Sequence, residues 1–186
     1  GSVIELAGTG HVTIEGIAIT LNGDEAGILQ DTNRNLRSFI NKVNISNVGN
    51  NSAIKIAPTI FVSRATFIDN VTIIGSQNYD DSTGIELTSN AGDSRITNTE
   101  IMGTKTGMTL GGVQYIDNVH VWCGCLPQVD LNEWWGGTRA LNLDNCVLSG
   151  GNVYLDSALL MITCRNNSVF KITNLNLQIH PNPLIY

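Results

Sequence analysis

The chain has 186 residues, of which 42% are hydrophobic and 14% are charged, and its net charge is −6. This length and composition suit one folded domain with a sizeable core and disfavour a disordered chain. The negative charge and the lack of a lysine or arginine cluster disfavour a nucleic-acid partner. No apolar run approaches the roughly 20 residues of a membrane helix, so no membrane insertion is expected.

A seven-residue motif recurs along the chain with the pattern aliphatic, polar, Asn, apolar, polar, aliphatic after one leading residue. In chain order its first aliphatic residues are Ile14, Ile40, Ile68, Ile96, Ile116, Leu143 and Ile172. A second, weaker motif alternates with it, seen most clearly as Gly-aliphatic-x-Leu in GIEL at 84–87 and GMTL at 107–110, and as GILQ at 27–30, AIKI at 53–56 and NVYL at 152–155. Two short strands per repeat predict an all-β fold, a single-stranded right-handed parallel β-helix of about seven coils, with a β-sandwich as the alternative.

Asparagine recurs at the centre of the longer motif, as in FIDNVTI at 67–73. In this copy we expect Ile68, Val71 and Ile73 to point inward and Asn70 to form a bend, because Asn tolerates left-handed backbone angles. Stacked coils would bring these amides to about 4.8 Å from one another, close enough to form a hydrogen-bonded ladder. The predicted members are Asn70, Asn98, Asn118, Asn145 and Asn174.

The repeats VTIEGIAITLNG and FIDNVTIIGS, each leading into a GIEL-type strand, resemble the pectate-lyase-like right-handed β-helices. They are most similar to the central domain of bacteriophage tailspikes, over nearly the whole chain. This resemblance implies a homotrimer in the virion tail that binds, and often cleaves, bacterial surface polysaccharide. NTDG, GHG and RIK motifs are absent, as is an Asp ladder with an Arg, which disfavours polygalacturonases and calcium-dependent pectate lyases.

Residues 1–186 are interpreted as one β-helix domain, expected to be a fragment of a longer protein without a signal peptide. Gly1 and Ser2 look like a cloning scar.

The repeat breaks after YIDNVHV, where residues 122–139 form the largest departure from the pattern. Insertions at solenoid turns often form a binding face. Indole rings stack on sugars, and carboxylates bind hydroxyls or perform acid–base hydrolysis, although the same indoles can simply pack against the rod. The inserted residues with this chemistry are the binding candidates Trp122, Trp134, Trp135 and Arg139 and the catalytic candidates Asp130 and Glu133.

The predicted outer face of the rod adds further candidates. One outward column is expected to run Ala18, Asn44, Thr72, Glu100, His120, Val147 and Asn176. In it Glu100 and His120 become neighbours, either as a proton-transfer pair or as a surface pair of little consequence. Asp117 and Asp144 are expected on adjacent coils, at the separation of a retaining glycosidase pair, although turn chemistry alone explains Asp before Asn.

Other polar positions carry weaker signals. Asp80 and Asp81 lie side by side in a predicted loop. Two interpretations are open for them: they bind sugar hydroxyls, or they are simply solvated. Lys55 and Glu86 are expected to form a plain surface ion pair. A zinc site would need ligands beyond the four cysteines, and the three histidines are widely spread along the chain, so neither a metal nor another cofactor is expected.

Three functions follow from these observations. The first is a polysaccharide depolymerase, a glycoside hydrolase more than a lyase, with carboxylates around the inserted loop. The second is a non-catalytic β-helix that binds the same glycan, and the third is a structural shaft segment of a tail fibre. Exposed tryptophans disfavour the third, because a shaft has no need of them.

Overall fold

The computed structural model describes residues 1–31, 36–58, 65–76, 81–88, 90–91, 93–123, 139–157 and 160–179, and every regular element in these ranges is a β-strand. The strands are β1 Ser2–Glu5, β2 Gly10–Glu15, β3 Ala18–Thr20, β4 Ala26–Gln30, β5 Leu36–Val48, β6 Ser52–Ile56, β7 Thr66–Gly75, β8 Thr83–Leu87, β9 Ser94–Met102, β10 Thr106–Cys123, β11 Arg139–Ser157, β12 Leu160–Arg165 and β13 Val169–Ile179.

The strands pair in parallel, in two ladders that the chain visits alternately. The short ladder joins β1, β4, β6, β8, the start of β10, the start of β11 and β12. The long ladder joins β2 with β3, then β5, β7, β9, the rest of β10, the rest of β11 and β13. Because β10 and β11 run through both ladders, the strands form one sheet. This parallel sheet curls into a half-barrel, which confirms the all-β prediction and is consistent with a β-helix.

The burial pattern of β7 shows how one residue sets the long ladder's geometry. Ile68 is buried before the bend at Asn70, and Val71 and Ile73 are buried after it, so the inward phase shifts by one residue. Alternation alone would place Ile68 and Val71 on opposite faces. The left-handed residue between them restores both to the core, as the sequence predicts.

Left-handed backbone angles recur at this bend in successive strands. Gly16, Lys42, Asn70, Asn98 and Asn118 have φ between 48° and 68°. The predicted amide ladder is confirmed where Asn118 Nδ2 donates to Asn98 Oδ1 at 2.8 Å.

The C-terminal part of the long ladder continues the amide ladder with a different residue. Asn174 Nδ2 donates to Asn152 Oδ1 at 3.0 Å, so Asn152 takes the place predicted for Asn145. Asn145 is left-handed too, with φ 47°, but it lies where β11 passes from the short to the long ladder.

The core column is confirmed over its first five members. Ile14, Ile40, Ile68, Ile96 and Ile116 are consecutive register partners, and all are buried.

Beyond Ile116 the predicted register is wrong. The partner of Ile116 is Gly150, whose next partner is Ile172, so the true steps are 34 residues (150 − 116) and 22 residues (172 − 150). Leu143 is fully buried but belongs to the short ladder, between Leu110 and Cys164. The two motifs are exchanged here, because 139–143 forms the short strand and 149–155 continues the long one.

Glycine in the Gly-aliphatic-x-Leu motif allows the two ladders to approach. A Cβ on Gly84 would lie 2.6 Å from the carbonyl oxygen of Gly107 and 2.6 Å from Cγ2 of Ile101 in the long ladder. Gly27 has the same surroundings, since its Cβ would lie 2.6 Å from the carbonyl oxygen of Ala53 and 3.2 Å from Ile45. The motif therefore marks a close contact between facing strands, which only a very small residue permits.

Candidate functional site

Carboxylates just before the bend bind amides of the next strand in the long ladder. Asp69 Oδ1 accepts hydrogen bonds from Thr97 Oγ1 at 2.6 Å and from Asn98 Nδ2 at 2.8 Å. Glu15 Oε1 likewise accepts one from Asn41 Nδ2 at 2.9 Å. Repetition of this contact indicates that these acids connect successive strands.

Asp117 belongs to this structural series. Its Oδ1 accepts hydrogen bonds from the backbone N of Asn152 at 2.8 Å and from Asn152 Nδ2 at 3.2 Å. The predicted pair with Asp144 does not form, because Asp144 is the register partner of Arg165 in the short ladder and accepts a hydrogen bond from Asn166. The predicted register placed Asp144 beside Asp117 in the long ladder, but Asp144 lies in the short ladder. The two carboxylates are therefore not neighbours.

A stacked column of rings occupies one stripe of the long ladder's outer face. Phe39 and Phe67 stack with their ring centroids 5.0 Å apart and their planes 7° apart, and His11 stacks on Phe39 at 6.4 Å. Arg95 follows Phe67 in register and lies with Cζ 5.2 Å from the centroid of the Tyr115 ring. The faces of these rings contact one another, so the column is explained by packing between strands.

A second outward column carries the predicted polar candidates. The register Asn44, Thr72, Glu100, His120 is as predicted, and Glu100 and His120 are direct Cα partners. The next member is Tyr154, not Val147, because of the register change described above. Within the described part of the chain no hydrogen bond or ion pair joins the side chains of Glu100 and His120.

The rings of His120, Trp122 and Tyr154 form a cluster that we call the open aromatic cluster. The His120 and Trp122 centroids lie 4.4 Å apart at an interplanar angle of 85°, and those of His120 and Tyr154 lie 5.7 Å apart at 54°. Tyr154 is 44% exposed. These rings are not parallel as those of Phe39 and Phe67 are, and the exposed ring of Tyr154 offers surface that a ligand can cover. Trp122 Nε1 is buried without a hydrogen-bond acceptor among the described residues.

Glu100 is a half-buried carboxylate beside this cluster. Thr72 and His120 are its register partners, and Trp122 follows His120 by two residues on the same side of the strand. In the described ranges no side chain donates a hydrogen bond to Glu100 and no cation pairs with it. A ligand that donates a hydrogen bond or carries a positive charge would supply the partner that Glu100 lacks among the described residues.

The remaining predicted residues are placed as follows. Asp80, Asp130, Glu133, Trp134 and Trp135 lie outside the described residues, and so does the side chain of Arg139, whose backbone begins β11.

Asp81 and the Lys55–Glu86 pair lie within the described ranges. Asp81 is exposed, and its backbone N donates to Asn50 Oδ1 at 3.2 Å. Lys55 Nζ lies 3.0 Å from Glu86 Oε2, which confirms that ion pair.

The connection that contains the inserted residues differs from its counterparts. It joins the end of a long-ladder strand, at Cys123, to the next short-ladder strand, at Arg139. The equivalent connection one repeat earlier is 103–105. Strand β10, which carries His120 and Trp122 of the open aromatic cluster, therefore leads directly into the longest connection between a long-ladder strand and the next short-ladder strand.

Cys146 and Cys164 are free thiols, the first buried and the second exposed. Burial raises the pKa of Cys146 to about 12, with a smaller contribution from Cys164. Among the described residues no three His, Cys, Asp or Glu side chains are grouped to hold a metal ion. The same part of the chain has no helix with the length and apolar character needed to span a membrane.

Sequence reasoning missed Tyr154. The motif NVYL at 152–155 is predicted as a short strand, which puts Tyr154 away from His120. The signal that identifies it is the match between Asn118-Val119-His120-Val121 and Asn152-Val153-Tyr154-Leu155. Asparagine, valine, aromatic and aliphatic residues recur there in the same order.

No protein-family model, no curated protein and no solved structure matches this chain.

Proposed function

We propose that the two ladders are two faces of a right-handed parallel β-helix of seven coils. Each coil would contribute one short and one long strand, the last being β12 with β13. The support is the alternation of the ladders along the chain and their consistently parallel register. Right-handedness follows from the general preference of parallel crossover connections.

We propose that this β-helix is a tailspike-type domain that binds and depolymerises a bacterial surface polysaccharide, capsule or O-antigen. The open aromatic cluster carries this proposal, because it brings together three aromatic rings, one of them the 44% exposed Tyr154, on the strand that leads into residues 122–139. Glu100 adds a hydrogen-bond acceptor beside the rings. The adjoining residues 122–139 supply further tryptophans and carboxylates from the sequence.

Hydrolysis would use a carboxylic acid from the inserted residues. Glu133 or Asp130 is the candidate general acid, since a neighbouring indole would desolvate the carboxyl and keep it protonated. Glu100 or Asp117 is the candidate partner carboxylate, and the hydrogen bonds that Asp117 makes to Asn152 favour Glu100. Binding candidates in the same region are Trp122, Trp134, Trp135 and Arg139, with Asp80 and Asp81 as a separate second location.

The test of cleavage is release of reducing ends from capsule or O-antigen preparations. With Glu133→Gln we expect turnover to fall about 100-fold or more with binding retained, because only proton transfer is lost. With Trp134→Ala we expect binding to weaken by about 1–3 kcal/mol. Full activity of both variants would move the site away from the inserted residues.

A binding function without cleavage is the second candidate. It is favoured by the absence of a carboxylate pair on the described outer face, where Asp117 and Asp144 lie in different ladders. Binding of the polysaccharide with no release of reducing ends, even after prolonged incubation, would establish this function in place of hydrolysis.

We propose a homotrimer in the virion tail as the functional assembly. Support comes from an exposed apolar column on the outer face, formed by the register partners Val113, Val147 and Val169, which are 40% to 50% exposed. A subunit contact would remove these side chains from water. Sedimentation equilibrium tests this assembly, and a monomer at high concentration would contradict it for this chain.

A further inference from the structure

Glu100 combines three properties that distinguish it from the other acids of the long ladder's outer face whose side chains the structure describes. It is half-buried, it has no hydrogen-bond or ion-pair partner among the described residues, and it adjoins the open aromatic cluster. Glu15, Asp69 and Asp117, by contrast, each accept hydrogen bonds from the neighbouring strand. Among the long-ladder acids whose side chains the structure describes, Glu100 is therefore the one that strand packing does not explain.

Aromatic rings beside an unpaired carboxylate are suited to a cation. The face of an aromatic ring is the negative part of its quadrupole and attracts ammonium groups. The ring centroids of Trp122 and Tyr154 lie 4.4 Å and 5.7 Å from that of His120, and Glu100 and Tyr154 are the register partners of His120 on its two sides. A cation bound by Glu100 over the His120 ring would thus meet one full negative charge on one side and the aromatic cluster on the other.

The same surroundings favour an organic ammonium over a metal ion. Calcium and zinc require several oxygen, nitrogen or sulfur ligands. No group of three such side chains exists among the described residues. An ammonium ion needs only hydrogen-bond acceptors and ring contact.

We propose that the glycan bound at the open aromatic cluster carries a free amino group, and that Glu100 binds this ammonium. This inference rests on the proposed glycan-binding function and adds to it the class of sugar, an amino sugar that is not N-acylated. It gives Glu100 a recognition role in place of the partner-carboxylate role considered above, which leaves acid–base chemistry to Glu133, Asp130 and Asp117.

The first experiment compares two saccharides by isothermal titration calorimetry at physiological salt: the tetramer of glucosamine and its fully N-acetylated counterpart. We expect the free amine to bind about ten-fold more tightly, on the scale of a cation–aromatic contact with an ion pair. Glu100→Gln should remove this preference. Glu5→Gln removes one charge from exposed β1, away from the cluster, and should leave the preference intact. Equal affinity for both tetramers, or a preference that persists in Glu100→Gln, overturns the inference.

A second experiment separates the inference from the proposed function. Choline and its uncharged isostere 3,3-dimethyl-1-butanol are titrated against the wild type and Glu100→Gln. We expect choline alone to bind, and only the wild type to bind it. Binding of an N-acetylated or neutral glycan without binding of choline refutes the ammonium site and leaves glycan binding standing. Binding of choline by a chain that binds no saccharide refutes the proposed function and retains the ammonium site.

Discussion

Asp117 accepts two hydrogen bonds from Asn152, and its carboxylate occupies the space in which a side chain at Gly151 would lie. The same acid-to-next-strand contact occurs at Asp69. Because backbone and side-chain donors of β11 both depend on Asp117, the residue connects β10 to β11.

Removal of this carboxylate is expected to destabilise the fold. Asp117→Ala should lower the free energy of unfolding by about 0.5–1.5 kcal/mol, since it removes the acceptor of two exposed hydrogen bonds that join β10 to β11. Asp117→Asn, which retains an acceptor oxygen, should lose less. Urea denaturation measures both, and a large loss of glycan turnover with unchanged stability would instead indicate the catalytic role that the sequence suggested.

Cys146 gives a pH dependence whose direction follows from its pKa, raised from 9.0 to about 12. Above pH 9 the unfolded thiol loses its proton while the buried thiol keeps it. The contribution of this thiol to the free energy of unfolding is therefore fully present below pH 9, and it is lost as the pH rises toward 12. Between about pH 8 and pH 10.5 the wild type should lose about 2 kcal/mol more than Cys146→Ala. Urea denaturation at both pH values measures the difference, and identical losses would contradict the burial of this thiol.

At the scale of strands, much of the fold was predictable because the long motif combines two physical requirements: apolar residues at the inward positions and a residue at the bend that tolerates left-handed backbone angles. Ile68, Val71 and Ile73 are inward, and the left-handed Asn70 between them makes this spacing possible. The motif fails at Leu143 because Asn145 has the same left-handed angle as a bend residue. The left-handed Asn thus also occurs at the corner between the two ladders. Only the pairing of β11 with β10 shows to which ladder each part of β11 belongs.

The candidate site was predictable only in part, for the same reason. Glu100 and His120 are in register as the sequence predicted, because the two repeats that carry them are intact. Tyr154 was not predictable from an aliphatic-based alignment, since Gly150 replaces the core aliphatic residue that would have fixed the register.

Contact between the two ladders depends on small residues in the short strands. Gly84→Val should destabilise the fold by about 1–3 kcal/mol or more, because its side chain would meet the carbonyl of Gly107 and the side chain of Ile101. Thr83→Val introduces the same residue at the preceding, partly exposed position and serves as the control. Thermal melting compares the two, and similar melting temperatures would show that the ladders do not approach closely at Gly84.

At the scale of the whole molecule, one continuous core underlies both ladders. Ile116 is fully buried within it, whereas Val113 on the same strand is 50% exposed. Ile116→Asp should cost more than about 3 kcal/mol, because an unpaired charge would enter the core. Val113→Asp should change stability little. Equal stability of these two variants, measured by chemical denaturation, would contradict the inward register of β10.

The outer face carries two aromatic arrangements with different expected roles, and two tyrosines allow them to be separated. Tyr115 lies against Arg95 in the stacked column, and Tyr154 belongs to the open aromatic cluster. The most direct measurement is the dissociation constant of the bound polysaccharide for the wild type, Tyr154→Ala and Tyr115→Ala. We expect Tyr154→Ala to weaken binding about ten-fold or more, as loss of a stacking ring would, and Tyr115→Ala to bind like the wild type. Unchanged affinity in Tyr154→Ala, or a loss confined to Tyr115→Ala, would contradict glycan binding at the open aromatic cluster.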